Sequence, residues 1–534
     1  MRRRQFLRAA SSGSLIAALP SALRAQGTIR SPSAADWDAG SVRHLLPTVS
    51  DTEILLKASF AAPLDSAPRL LIGSTSVPGL PTDTRGEHWS FHASALQPAR
   101  THRLQLVSGR GAALCQPWDL ATFPAPDARP ERLRVVFYTC AGGHEGLGFL
   151  PASTRNRLLR RALSFSPDAV VANGDQVYWD LRSPLTAHRS GASARARELI
   201  GGQFDRADTV LGTDNETLLK RAAGPQIVPV YGNDFRSTPV FFVQDDHDYF
   251  DNDDADDRIV TFPPDFFMTE MARATQALYY PAFLPDRHRP RGLAGASFSG
   301  PGLSVSESFG TLRYGRLAEV LLYSTRRTMT LAGPSAVFLD REVERWLASR
   351  MADRDVLHVV NAPSNPPGWT AGKWGEWYAD VLAADGRLTT TVAKPYWQSG
   401  WRAQHDRLLA AMSGMRGRIP LSVSGDLHAI ALGRIAQSGA LDLSANPVIS
   451  VLAGPVGTAS SGWPSSVRKV GAMPPLGLSV EELIRPIEQH GFTLADFTPE
   501  GIELRFFRWD VNSQPLQALD TLEPFRVVQL PRPA

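Results

Sequence analysis

The sequence predicts a layered α/β catalytic region preceded by a small all-β domain. Three observations carry that prediction. Residues 30 to about 125 alternate apolar and polar side chains between Pro- and Gly-rich turns, the pattern of a β-sandwich of the fibronectin or Ig-like kind. From about residue 131 the pattern becomes strands alternating with helices. Three short apolar runs in that region each end in an acidic patch: Ala169–Ala172 before Gly174-Asp175-Gln176-Val177-Tyr178, Val240–Val243 before Asp245-Asp246-His247-Asp248, and Ile419–Val423 before Gly425-Asp426-Leu427-His428. Loops beyond the carboxyl ends of buried strands converge on one crevice in an open α/β sheet.

The elements follow in order. Residues 1–25 read as a twin-arginine export signal: Arg3 and Arg4 precede Phe6-Leu7, then a weakly apolar stretch, then Ala22-Leu23-Arg24-Ala25. That predicts an exported protein, periplasmic or secreted, with the Tat machinery as an export partner. Residues 30–125 form the N-terminal β domain, with Ile54–Phe60, Arg69–Gly73 and His102–Val107 as strands. The segment Thr122–Pro130 is a proline-rich linker, and residues 131–515 form the catalytic domain. There, Arg155–Leu163, Phe267–Ala274, Phe338–Met351 and Arg407–Met412 read as helices. Leu317–Tyr323, Val356–Val360, Pro447–Ala453 and Ile502–Phe507 read as further strands. Two insertions stand out. Residues 181–236 have mixed composition, and residues 362–402 hold five of the twelve tryptophans, the composition of a lid or of a loop anchored by its aromatics.

Composition narrows the function classes. The chain is 43% hydrophobic and 20% charged, ordinary for a globular protein with a large core. Its formal charge of +3 becomes −2 without the five arginines of residues 1–25. Bulk charge therefore gives no reason to expect nucleic-acid binding. No stretch after the signal is long and apolar enough to span a bilayer. Of the two cysteines, Cys115 lies in a strand-like segment and reads as a buried small hydrophobe, whereas Cys140 follows the apolar run Arg134–Tyr138 at a strand end.

The residue types at the strand ends describe two cation sites. Asp175 is placed to bridge two ions, and Tyr178, three residues on, to reach back to one of them. A phenol gives up its proton only beside a highly charged ion. Cys140 adds a thiolate and His428 an imidazole, so Cys140, Asp175, Tyr178 and His428 describe a ferric site. Asp175, Asp246 and Asp426 supply oxygen alone, which suits Ca²⁺, Mg²⁺ or Mn²⁺ over Zn²⁺. His247 beside Asp246 is the candidate proton donor to a leaving oxygen. Arg326 is a candidate fork for phosphate oxygens, set against a solvated surface arginine. Asn361 is a candidate oxygen ligand or phosphate donor. His144 reads as loop, and the acidic run Asp251–Asp254 as a solvated loop rather than a further calcium site.

At these residues the chain resembles the PhoD-like alkaline phosphatase and phosphodiesterase branch of the calcineurin-like metallophosphoesterase superfamily. The superfamily motifs Asp-x-His, Gly-Asp, Gly-Asn-His-Asp/Glu and Gly-His-x-His have counterparts in Cys140, Gly174-Asp175 with Tyr178, Asp245–Asp248 and Gly425–His428. The Cys, the Tyr and the two Asp replacements are the departures that mark the PhoD-like branch. Ser324 stands where that branch often carries Asp before Thr-Arg. The resemblance implies a β-sandwich flanked by helices after a small β domain, and a centre of ferric iron with one or two calcium ions, with Zn²⁺, Mn²⁺ or Mg²⁺ as alternatives. It also implies hydrolysis of a phosphate ester by a metal-activated water that attacks phosphorus directly. The substrate is then a small phosphate ester or a phospholipid head group. Two competing readings are a phospholipase D-like phosphodiesterase and a non-catalytic calcium-binding envelope protein.

Overall fold

Two antiparallel four-stranded sheets form the N-terminal region, as the alternation over residues 30–125 predicts. One runs Val42–Val49, Ile54–Phe60, His88–Ala93, Leu80–Pro81, and the other Thr75–Pro78, Arg69–Ile72, Thr101–Val107, Trp118–Ala121. The computed structural model describes residues 37–179, 191–250, 263–286, 306–330, 335–371, 399–460, 462–467 and 470–533. The export-signal reading of residues 1–25 and the acidic run Asp251–Asp254 lie outside them. So do Trp374, Trp377 and Trp397 of the aromatic insertion. Cys115 is buried as expected, but in a loop rather than a strand, and burial pushes its thiol up to about 11. The linker begins docked: Phe123 is buried, 6.0 Å from Phe241 and 5.3 Å from Tyr314 between ring centres.

Two larger sheets follow. The first has six strands in the order Val240–Val243, Ala169–Asn173, Leu133–Tyr138, His490–Thr498, Gly501–Trp509, Arg526–Pro531. Its first three strands are parallel. The second has eight: Phe309–Tyr314, Ala318–Tyr323, His358–Pro363, Leu421–Ser424, Val448–Ala453, Ile430–Ser438 and Leu441–Asp442, with Leu478–Ile487 paired to Ile430–Ser438. Its strands from Ala318–Tyr323 through Val448–Ala453 are parallel. Every residue of Ala169–Asn173, Val240–Val243 and Leu421–Ser424 is buried, which is why these strands read as short continuous apolar runs rather than alternating ones. The buried Asn173 amide ties the sheets together at their carboxyl ends, donating to Pro363 O and Val423 O, each at 3.0 Å.

Helix boundaries follow local chemistry. Arg341–Ala352 starts three residues after the apolar pattern predicts, because the Asp340 side chain accepts from the Glu342 and Val343 amides and sets the N-cap there. Within the 181–236 insertion lies an 18-residue helix, Asp214–Tyr231, that the sequence reading left unassigned. Pro225 and Pro229 sit inside it and mask its helical pattern. Tertiary packing holds it: Leu219, Ala223, Ile227 and Val230 share a core with Leu158 and Leu159 of the Ala152–Leu163 helix. The described tryptophans of the aromatic insertion are anchors. Trp369 donates to Glu482 and Trp401 to Thr330 O and Val337 O. Among the described residues no helix is long and apolar enough to cross a membrane.

Two buried histidines make stability depend on pH. Burial holds His44 down to about 3 and His490 down to about 4, while the unfolded chain titrates near 6.5. The unfolded state therefore binds more protons between pH 4 and 6.5, so stability is full above that window and is lost as pH falls through it. The midpoint of thermal unfolding should drop steadily from pH 6.5 to 4. His490→Gln, which keeps a donor toward Thr458 O (2.8 Å in the native chain), should make that slope shallower by about one proton.

Candidate metal centre

Side chains from the carboxyl ends of strands in both sheets meet at one point. Cys140 follows Leu133–Tyr138, Asp175 and Tyr178 follow Ala169–Asn173, Asp246 and His247 follow Val240–Val243, and Asp426 and His428 follow Leu421–Ser424. Ligand atoms of Cys140, Asp175 and His428 lie within 4.8 Å of one another, as do those of Asp175, Asp246 and His247, and of Asp245, Asp246 and Asp426. Asp175 and Asp246 each belong to two of these groups, so the groups share a wall. The six residues predicted as ligands, Cys140, Asp175, Tyr178, Asp246, Asp426 and His428, are thus brought together, with His247 beside them.

The backbone is shaped for this purpose. Among described non-glycine residues eight have left-handed φ, and four of them are Cys140 (51°), Asp175 (60°), Asp426 (69°) and His428 (48°). Left-handed backbone is disfavoured for side chains with a Cβ, and its concentration at one cleft marks a place where geometry was kept at the expense of stability. Gly174 precedes Asp175 at φ 89°, and a Cβ there would fall 2.6 Å from the Asp245 Cβ, so only glycine lets the two acidic loops approach.

Asp248 locks those loops. Its carboxylate accepts from four backbone amides, those of Asp175 (2.9 Å), Gln176 (2.8 Å), Val177 (3.3 Å) and Asp245 (2.9 Å). Gln226, on the Asp214–Tyr231 helix, accepts from the amides of Gly143 (2.7 Å) and Tyr178 (2.9 Å) and so fixes the cysteine loop against the tyrosine. Asp248→Asn puts an amide N–H where an acceptor is needed. It should cost about 2–4 kcal/mol, read from the denaturant midpoint.

The first group has the donors a trivalent or borderline cation asks for. Asp175 Oδ2 lies 3.2 Å from Cys140 Sγ and 3.0 Å from the Tyr178 hydroxyl, and that hydroxyl lies 2.9 Å from His428 Nε2. On the far side of the imidazole, Nδ1 faces Gly462 O at 2.7 Å and Thr458 Oγ1 at 3.1 Å. A donor at Nδ1 leaves Nε2 as the lone-pair nitrogen that a cation would use. Burial, reinforced by the Asp175 carboxylate, pushes the Cys140 thiol well above its usual range. A thiol, a phenol, an imidazole and a carboxylate set this closely offer a cation one soft, one nitrogen and two oxygen donors, and a bound cation favours the deprotonated forms of the thiol and the phenol. The residues fit a metal ion.

The second group is oxygen only and contains an unexpected partner. Arg326 is fully buried rather than a surface arginine. Its Nε lies 2.6 Å from Asp245 Oδ1, and its Nη2 3.4 Å from both Asp246 Oδ1 and Asp426 Oδ1. Burial raises the Asp245 carboxyl well above its usual range, Arg326 opposes that rise, and Asp246, Asp426 and Asp175 add to it. Asn361 is placed differently from the expectation. It sits within the His358–Pro363 strand, its amide donating to Met351 Sδ (3.4 Å) and its oxygen 3.5 Å from the Tyr323 hydroxyl. The strand runs past Asn361 to Pro363, and the amide that reaches the site is Asn365, whose Nδ2 donates to Asp426 Oδ2 at 3.3 Å. His144 caps the short 3-10 turn Glu145–Leu147, in keeping with the loop reading. Asp245, Asp248, Gln226 and Asn365 were not singled out. The Asp245-Asp246-His247-Asp248 run held a signal for the first two, whereas Gln226 and Asn365 reach the site only through the tertiary fold.

No family model and no curated protein matches the sequence. Solved structures do. The chain aligns with PhoD over 87% of its own length and 86% of that chain, at 13% identity and a TM-score of 0.55. It aligns with a purple acid phosphatase from yellow lupin (Lupinus luteus) seeds over 88% of its length and 72% of that chain, at 14% identity and a TM-score of 0.51. Two mixed sheets with the Cys, Asp, Tyr and His cluster at their strand ends, an all-β N-terminal region and these alignments agree: the chain has the metallophosphoesterase fold that it shares with PhoD and the lupin phosphatase.

Proposed function

We propose that this chain is an exported, metal-dependent hydrolase of phosphate esters, of the alkaline phosphatase and phosphodiesterase type, working with ferric iron beside one or two calcium ions. The observation that carries this reading is the meeting of Cys140, Asp175, Tyr178, Asp246, Asp426 and His428 at the strand ends. The fold shared with PhoD and purple acid phosphatase supports it. A thiol and a phenol are of little use to a purely calcium-binding envelope protein, since calcium takes oxygen ligands and leaves thiols protonated.

Bound cations in such a centre activate water and neutralise charge on the phosphoryl oxygens. The chain's own residues do the rest. Asp175 is common to the Cys140–His428 and Asp246–His247 groups, and Asp246 links the latter to Asp245 and Asp426, so two carboxylates fix the spacing across the cluster. Asn365 holds Asp426 in orientation. His247 retains solvent contact at 15% of its side chain while Asp246 is sealed, so it is placed to pass a proton to a departing oxygen.

Protein isolated from an exporting host and loaded with iron and calcium should hydrolyse p-nitrophenyl phosphate or bis-p-nitrophenyl phosphate. A phosphatidylcholine arm reports whether lipid head groups are substrates. Absence of turnover on all three by metal-replete protein overturns the reading. The loaded protein should also carry a visible tyrosinate-to-iron band that Tyr178→Phe removes. A colourless, zinc-loaded active protein would refute iron while leaving the hydrolase.

A further inference from the structure

The second group already holds a cation, one supplied by the chain itself. Asp245, Asp246 and Asp426 bring one carboxylate oxygen each to within 4.8 Å of the others, the scale of an ion cradle, and all three side chains are sealed from solvent. Three carboxylates in such a place repel one another strongly unless positive charge lies among them. Arg326 lies among them, contacting one oxygen of each. Its backbone is held firmly at that spot. The amide of the preceding Thr325 donates to Ser364 Oγ at 3.1 Å, and the Thr325 hydroxyl contacts Asn365 Oδ1. Asn365 in turn donates to Asp426. The arginine is thus tied into the same network that orients the carboxylates.

We propose that Arg326 is the built-in counter-cation of the Asp245–Asp246–Asp426 triad, and that the second cation of the centre binds in competition with its guanidinium. This deepens the two-cation reading above and rests on it. Hard cations such as Ca²⁺ and Mn²⁺ need carboxylate oxygens at about 2.0–2.6 Å. Asp246 and Asp426 cannot give those oxygens fully to such an ion while also serving a guanidinium, and two positive charges in one sealed cradle repel. The cation beside Cys140, Tyr178 and His428 is therefore the firmly held one, and the cation in the oxygen triad is weaker and exchangeable. Arg326 serves as a placeholder that keeps the cradle open and charge-compensated between loadings, not as a phosphate clamp.

The test is metal stoichiometry and affinity, independent of any substrate. Wild-type protein desalted into metal-free buffer should retain about one equivalent of metal by elemental analysis, and calorimetric titration with Ca²⁺ or Mn²⁺ should show a second, weaker site. Arg326→Gln should tighten that site by about tenfold or more and lower the unfolding temperature of the metal-poor form, a loss that added Ca²⁺ or Mn²⁺ restores. Arg326→Lys keeps the charge, guards against a Gln variant that does not fold, and should stay within about threefold of wild type. Two tightly held equivalents in the wild type would overturn the proposal. So would unchanged or weaker second-cation affinity in Arg326→Gln, or a Lys variant that tightens the site as Gln does. A Gln variant with unaltered metal binding but weakened inorganic phosphate binding would assign Arg326 to substrate instead. If the metal results hold and no ester is hydrolysed, the counter-cation stands and the proposed activity falls.

Discussion

Replacing Asp175 with Asn should remove metal and phosphoesterase activity together, with a fall in turnover of about a thousandfold or more. Asp175 is the residue common to the Cys140–His428 group and the Asp246–His247 group, and its Oδ2 touches both the thiol and the phenol. An amide keeps one oxygen but loses the negative charge that draws a cation to either group. The substitution is structurally mild. The backbone at Asp175 has φ 60°, a conformation that Asn tolerates better than most residues. The Asp175 amide that donates to Asp248 is unchanged. One buried carboxylate fewer also eases repulsion with Asp245, so the metal-free variant should unfold at the same temperature as the metal-free wild type or higher. Elemental analysis, an ester assay and a thermal melt on the same preparation separate loss of metal from loss of fold. Normal turnover in this variant would end the two-cation proposal.

What the sequence made legible follows from where the determinants lie. Asp175, Asp246 and Asp426 stand directly after short all-buried strands, so a local pattern of apolar run and acidic patch was enough to find them. Cys140, Tyr178 and His428 were recognisable by position: Cys140 at a strand end, Tyr178 three residues beyond Asp175, and His428 two residues beyond Asp426. Arg326 was visible as a residue type but not as a buried one, because its burial depends on three carboxylates from two other loops. Gln226 was hidden for the same reason, on a helix whose two prolines disguise it. Asn361 was misplaced by four residues because the His358–Pro363 strand continues past it. Strand length is set by pairing with Ala318–Tyr323, which is not a local property. Local chemistry picked out the candidate ligands, and long-range packing decided which groups hold and charge-balance them.

His247→Gln should leave both metals in place while lowering turnover by about a hundredfold to ten-thousandfold, and the size of the loss should depend on the leaving group. The imidazole lies over the Tyr178 ring, 4.2 Å between centres and tilted by 33°, with Nε2 3.7 Å from Asp246 Oδ2. The ring nitrogen thus sits beside the cluster with solvent contact, where a protonated imidazole can give its proton to an alkoxide leaving phosphorus. A p-nitrophenolate leaves well without a proton, whereas an aliphatic alkoxide does not. The variant should therefore be much more impaired on an alkyl phosphate than on p-nitrophenyl phosphate, and the difference should grow as the leaving group becomes more basic. The competing role is that of a ligand, since His247 shares a group with Asp175 and Asp246. A ligand predicts another outcome: metal content falls with activity, and both esters suffer equally. Measuring metal content alongside a series of leaving groups therefore assigns His247 to one role or the other, and equal losses on all esters with intact metal would exclude proton donation to the leaving oxygen.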